Sequence, residues 1–160
     1  MPCYLGIDYG EKRIGLSWGD ELGLAVPLPA AVEKTEEERW RHIEGVVADR
    51  RISAFIVGYP YNMDGSAGFK AREVEEFVEK LKGRFSLPVH FVDERLTSSV
   101  AEDRYRKRKK KADRKSGEID SHAASIILQD FLNTRHPSGG QGGAREEGGV
   151  RGAGRGAREE

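Results

Sequence analysis

The sequence predicts an α/β fold, a five-stranded mixed sheet with helices on both faces. Three observations lead there. Short apolar runs separated by turn residues come first, which suits antiparallel pairing. Strand–helix–strand units follow, which suits parallel pairing. The run at residues 53–58 is almost entirely apolar, the composition of a strand buried on both faces of a parallel sheet.

The elements follow in order. Residues 4–7 form an apolar strand that ends on Asp8. Residues 9–12 turn the chain, and residues 13–18 return as the second strand of a hairpin. Residues 24–32 make a third strand, which Pro27 and Pro29 confine to an edge or to its ends. A helix over 36–50 has Thr35 as N-cap, acids in its first turn, and Trp40, Ile43, Val46 and Val47 on one face. The buried strand at 53–58 leads into a loop over 59–68 that contains NMDGS. A second helix over 70–84 places Val74, Phe77, Val78 and Leu81 at core spacing. The last strand is 88–92, and residues 96–106 read as helical. The final helix, 119–133, turns Ala123, Ala124, Ile127, Leu128 and Phe131 inward.

The length of 160 residues suits one domain. Residues 137–160 are mostly Gly, Ala, Arg and Glu, too poor in apolar side chains to offset their ordering entropy. The expected division is therefore a domain over 1–136 and a disordered tail over 137–160. Net charge is zero, yet residues 104–115, RYRKRKKKADRK, hold nine basic residues and one acid, a local +8. The tail is neutral, so the rest of the chain carries −8. A compact basic block on an acidic body suits contact with a phosphate backbone. The single cysteine, Cys3, makes neither an intrachain disulfide nor a metal site and reads as a buried thiol. With strand pattern beginning almost at Met1 and no apolar run of membrane-spanning length, the expectation is a soluble, cytoplasmic protein with no signal peptide and no membrane partner.

Three acids stand in unusual places. Asp8 ends the first apolar run in GIDYG, Glu94 ends another in PVHFVDE, and Asp120 opens the final helix in EIDSHAA. Strand ends and helix starts can hold side chains rigidly at one sheet edge. Carboxylates gathered there repel one another unless a cation lies between them. An all-oxygen set suits Mg²⁺ or Mn²⁺, and such ions suit phosphate chemistry. Asp93 rivals Glu94, and because neighbours on a strand face opposite ways only one can join the site.

The segments GIDYGEKRIGLSWGD, VGYPYNMDGSAG, FVDERLTS and IDSHAASIILQDFL resemble the YqgF/RuvX family of the RNase H-like superfamily, related to the Holliday-junction resolvase RuvC. The resemblance spans about residues 3–133. It implies a five-stranded sheet of three antiparallel and then two parallel strands. It also implies a nuclease that matures the 5′ end of pre-16S ribosomal RNA, with Holliday junction resolution as the alternative. The family's acidic triad falls on Asp8, Glu94 and Asp120, as catalytic and metal-binding residues. Tyr59 and Tyr61 depart from the family's usual leucines, and Ser121 and His122 stand where Lys-Leu is frequent. The Gly-rich tail lies outside the family pattern.

For phosphodiester hydrolysis, a two-metal site with Asp8 as the shared ligand would activate a water and stabilise the leaving oxygen. Arg13, Asn62 and Arg95 are candidate substrate contacts near that edge, and Lys109, Lys110 and Lys111 lie at the centre of the basic run. Tyr9 and Tyr61 are weighed as base-stacking residues against plain packing, and His122 as a site neighbour. Expected partners are pre-rRNA or branched DNA and the ribosomal small-subunit precursor, with the chain acting as monomer or homodimer. Two other classes compete. An actin-like ATP-binding fold shares the G-x-D-x-G turn, but this chain lacks the length for its two domains. A catalytically silent RNA-binding assembly module would have no need of the three acids.

Overall fold

The computed structural model describes residues 1–61, 67–94 and 117–135. Strands β1 (Cys3–Asp8), β2 (Ile14–Asp20), β3 (Val26–Ala31), β4 (Ala54–Tyr59) and β5 (Val89–Asp93) form one sheet in the order β3-β2-β1-β4-β5. β1 pairs antiparallel with β2, and β2 antiparallel with β3. β1 with β4, and β4 with β5, are parallel. The expected mixed sheet is thus observed. Pro27 and Pro29 do lie on the edge strand β3, where a missing N–H costs no ladder bond on the outer side. The apolar run of β4 lies between two parallel neighbours and is buried along its whole length.

Helices α1 (Glu36–Arg50) and α2 (Phe69–Arg84) cover one face. Thr35 caps α1 in a full capping box. Its hydroxyl accepts from the Glu38 amide at 3.1 Å, and the Glu38 side chain accepts from the Thr35 amide. Leu5, Ile7, Leu16, Phe55 and Val57 from the strands meet Trp40, Ile43, Phe77 and Leu81 from these helices in the larger core. Within it Phe77 stacks on Trp40 at 5.1 Å and on Tyr9 at 4.5 Å. Tyr9 is therefore part of the packing, not an open base-stacking surface. Cys3 is half-buried, short of the full burial expected.

Helix α3 (Glu118–Arg135) covers the other face and crosses all five strands. Leu128 and Leu132 are fully buried there with Ile56, while Phe131 is only partly buried. The helix comes unusually close because the strands beneath it are stripped of side chains. A Cβ on Gly6 would lie 2.8 Å from Leu128 Cβ, one on Gly19 would lie 2.9 Å from Leu132 Cδ1, and one on Gly15 would lie 2.0 Å from the Asp120 carbonyl oxygen. Two buried hydrogen bonds hold this contact. The Ser17 hydroxyl donates to the Ala124 carbonyl at 2.8 Å, and the Leu16 amide donates to the Ser121 hydroxyl at 3.1 Å. The β2–β3 register shifts between Ile14 and Leu16, so an amide at the irregularity finds its acceptor on the helix. At the far end Gln129 accepts from the Ala25 amide and donates to the Gly23 carbonyl, fixing the β2–β3 turn.

The expected helix over 96–106, the NMDGS turn and the tail over 137–160 lie outside the described residues.

This packing makes a paired prediction. Gly15→Ala drives a methyl into backbone atoms that cannot move aside, so it should cost about 1–3 kcal/mol or more in urea unfolding. Gly45→Ala, in exposed helix with nothing within 4 Å, should be neutral or stabilising by up to about 1 kcal/mol. Equal effects at the two positions would contradict the close seating of α3.

Candidate active site

Strand alternation decides which acids can act together. In β1, Leu5 and Ile7 enter the α1/α2 core, so Tyr4, Gly6 and Asp8 face α3. In β5, Asp93 pairs with Tyr59, which belongs to the α1/α2 core, while Val92 packs on the α3 side. Glu94, the next residue after Asp93, returns to the α3 face. Its Oε2 lies 2.5 Å, and its Cγ 3.0 Å, from where a Cβ on Gly58 would stand, beside Ile127 of α3. Glu94 is thus the acid on the α3 side, and Asp93 is on the opposite face.

Asp120 reaches the same edge from the helix. It lies in the first turn of α3, with its backbone against Gly15. Gly15 is the register partner of Asp8. Ile7 pairs with Val57, so Asp8 is level with Gly58, over which the Glu94 carboxylate lies. Asp8, Glu94 and Asp120 therefore share one end of the sheet and one face of it. Two glycines make room for them: Gly15 admits the start of α3, and Gly58 leaves a cradle that a Cβ would fill.

Arg13 supplies the counter-charge. Its Nε donates to Asp120 Oδ2 at 3.1 Å, and both side chains remain partly exposed. Such a solvent-facing pair contributes at most about 1 kcal/mol, so it exchanges readily for another partner. The donor set is all oxygen, which fits a hard divalent cation, and the three acids share one edge. They are not drawn into a finished cage: among the described residues, no three His, Cys, Asp or Glu side chains stand together as a ready metal group. Metal binding at this edge would draw the carboxylates inward and compete with Arg13 for Asp120.

Of the other sequence candidates, Lys12 is exposed and His122 is half-buried on α3. Tyr61 is partly exposed, 4.5 Å from the Tyr59 ring. Asn62, Arg95, Lys109, Lys110 and Lys111 lie outside the described residues. Sequence reasoning passed over Gly15, Gly58, Ser17 and Ser121. A signal was present for two of them, Gly15 and Ser17. Gly15, Ser17 and Gly19 alternate along β2, and a row of small residues on one strand face marks where another backbone approaches.

Comparison with known proteins identifies the family of the chain. A family model described as RuvX, Holliday junction resolvase, matches residues 2–134. A protein of Opitutus terrae, provisionally named a pre-16S rRNA nuclease, is 51% identical over 138 residues, covering 86% of this chain and 94% of that one. A protein of Trichormus variabilis with the same provisional name is 42% identical over 132 residues, covering 82% of this chain and 87% of that one. Among solved structures, T. thermophilus RuvC in complex with a Holliday junction substrate overlaps 86% of this chain and 98% of its own at 18% identity. Its TM-score of 0.47 is too low to support a functional argument. The family match across nearly all of the described fold, with relatives at these identities, shows that the chain belongs to the RuvX family.

Proposed function

We propose that this chain is a metal-dependent nuclease that hydrolyses phosphodiester bonds at the Asp8–Glu94–Asp120 edge. The observation that carries the reading is the placement of these three acids on one face and one edge, with Asp93 turned away. The provisional name of the relatives points to pre-16S rRNA as substrate; in this reading the cut is at its 5′ end, within the ribosomal small-subunit precursor in the cytoplasm. A second reading, cleavage of four-way DNA junctions, is favoured by the description of the family model. Among the described residues no helix is long and apolar enough to cross a membrane.

In this reading Asp8, Glu94 and Asp120 would hold Mg²⁺ or Mn²⁺. Such ions supply an acidified water and a counter-charge for the leaving oxygen. The chain's own residues do the remaining work. Gly58 lets the Glu94 carboxylate lie flat over β4, where a larger residue would displace it. The seating of α3 on Gly15 fixes Asp120 beside Asp8. Arg13, once it leaves Asp120, is a guanidinium at the same edge that can donate to a phosphate oxygen. The basic run at 104–115 precedes Asp120 by a few residues in sequence and would neutralise the backbone that the acidic body repels.

Two experiments test this. Asp8→Asn keeps the side-chain shape and removes its negative charge. Cleavage of a 5′-extended 16S rRNA fragment should fall by more than about a hundredfold, the scale expected when a metal ligand is lost, while thermal unfolding stays near wild type. Undiminished cleavage by the purified variant would sink the mechanism, and a four-way DNA junction assayed in parallel separates the two substrate readings. In the second experiment, Lys109, Lys110 and Lys111 are replaced together by alanine. Affinity for nucleic acid of any sequence should drop, and the slope of log affinity against log salt should flatten by roughly 0.7–0.9 per lost phosphate contact. An unchanged slope would show that the run does not touch the backbone.

A further inference from the structure

The fold itself places Arg13 on Asp120. Asp8 and Arg13 bracket the turn between β1 and β2. A Cβ on Gly10 would lie 2.5 Å from the Arg13 carbonyl oxygen, so this turn closes tightly and fixes the Arg13 backbone. Ile14 enters the α1/α2 core, so its neighbours Arg13 and Gly15 both face α3. Gly15 meets the Asp120 backbone, and Arg13 meets the Asp120 carboxylate. That contact uses Nε alone, at 3.1 Å. Among the described residues no acceptor stands on the terminal Nη1 or Nη2, and the side chain is 42% exposed. One edge of the guanidinium is therefore occupied by a carboxylate, and its terminal nitrogens are open to another acceptor.

We propose that Arg13 couples the two ligands of the acid edge: it holds Asp120 back from the cation until a phosphodiester takes the guanidinium, a role that rests on the metal-dependent nuclease reading above. A guanidinium can give a phosphate two parallel N–H bonds, a stronger contact than the single Nε bond to Asp120. Once Arg13 turns to the phosphate, Asp120 loses a counter-charge. The acids at the edge then repel one another more strongly, and a divalent cation offsets that repulsion. The reverse holds as well. A cation on Asp120 displaces Arg13, which is then released for phosphate. Each ligand frees the group that the other needs, so the two affinities rise by one common factor. The part of that factor due to Arg13 is about fivefold, the scale of an exposed ion pair. Without phosphate the edge binds its cation weakly, in keeping with acids that form no ready metal group among the described residues. The cation is thus held tightly only where a strand is already present to be cut.

The test titrates Mn²⁺ into full-length protein and reads free Mn²⁺ by electron paramagnetic resonance. Each titration is run alone and with a saturating labelled single-stranded oligonucleotide, its binding followed by anisotropy and its integrity checked on a gel. In wild type the oligonucleotide should raise Mn²⁺ affinity about tenfold or more. Arg13→Gln should bind Mn²⁺ about fivefold more tightly than wild type without oligonucleotide, because the competitor for Asp120 is gone. Its gain on adding oligonucleotide should shrink by the same factor, leaving only the direct attraction between cation and strand. Lys12→Gln removes an equal charge one residue away and should match wild type in both measurements. Thermal unfolding confirms that the variants fold. An equal gain in wild type and Arg13→Gln would overturn the coupling while leaving the metal site intact. So would a Lys12→Gln protein that behaves like Arg13→Gln, since the effect would then be one of general charge. Wild-type protein that binds no Mn²⁺ in either state, or an Asp120→Asn variant with undiminished Mn²⁺ affinity, would overturn the nuclease reading as well.

Discussion

The contact on which the rest of the structure depends is the seating of α3 on the backbone of β1 and β2. Helices normally ride on a layer of side chains. Here Gly6, Gly15 and Gly19 remove that layer, and the first turn of α3 rests directly on the strand beside Asp8. The approach brings polar backbone into a dry interface, and the two serine hydrogen bonds answer that cost: Ser17 donates to a helix carbonyl and Ser121 accepts a strand amide. A side chain on Gly15 would lift the start of α3, and Asp120 would move with it away from Asp8.

The two faces of the sheet divide the work. The α1/α2 face is almost wholly packing, with Phe55, Trp40 and Phe77 in a continuous apolar core. The α3 face carries the smaller apolar cluster and all three acids. Stability and chemistry are thereby separated. The core can be dense without intruding on the acid edge, and the acids can sit at the rim, where water still offsets their mutual repulsion. Arg13 holds part of that balance, since its pairing with Asp120 places a positive charge at the edge.

Much of this was legible in the sequence. The mixed sheet followed from antiparallel runs preceding strand–helix–strand units, its order of three antiparallel and two parallel strands from the family resemblance, and Pro27 and Pro29, read as fitting an edge or the strand's ends, do lie on edge strand β3. The N-cap at Thr35 was readable because its chemistry is local; the full capping box with Glu38 came with the structure. The choice of Glu94 over Asp93 was not settled by the residues alone; it needed the register of β5 on β4, which only the folded sheet supplies. Tyr9 was read as a possible surface ring, but its stacking on Phe77 depends on a helix nearly seventy residues away in sequence. Leu132 and Ser121 escaped because α3 is buried around most of its circumference, so a one-sided apolar stripe understates its core. The pairing of Arg13 with Asp120 joins residues 107 apart and leaves no mark on local sequence.

The central claim is that Asp8, Glu94 and Asp120 act as one metal-binding group, although they are not gathered into a cage. The most direct measurement is a crystal structure of the protein soaked in Mn²⁺, read by anomalous scattering. The account predicts one or two peaks within about 2.0–2.4 Å of carboxylate oxygens, with Asp8, Glu94 and Asp120 all among the ligands and Arg13 displaced from Asp120. Manganese bound elsewhere, or no peak at this edge with Arg13 still on Asp120, would contradict it.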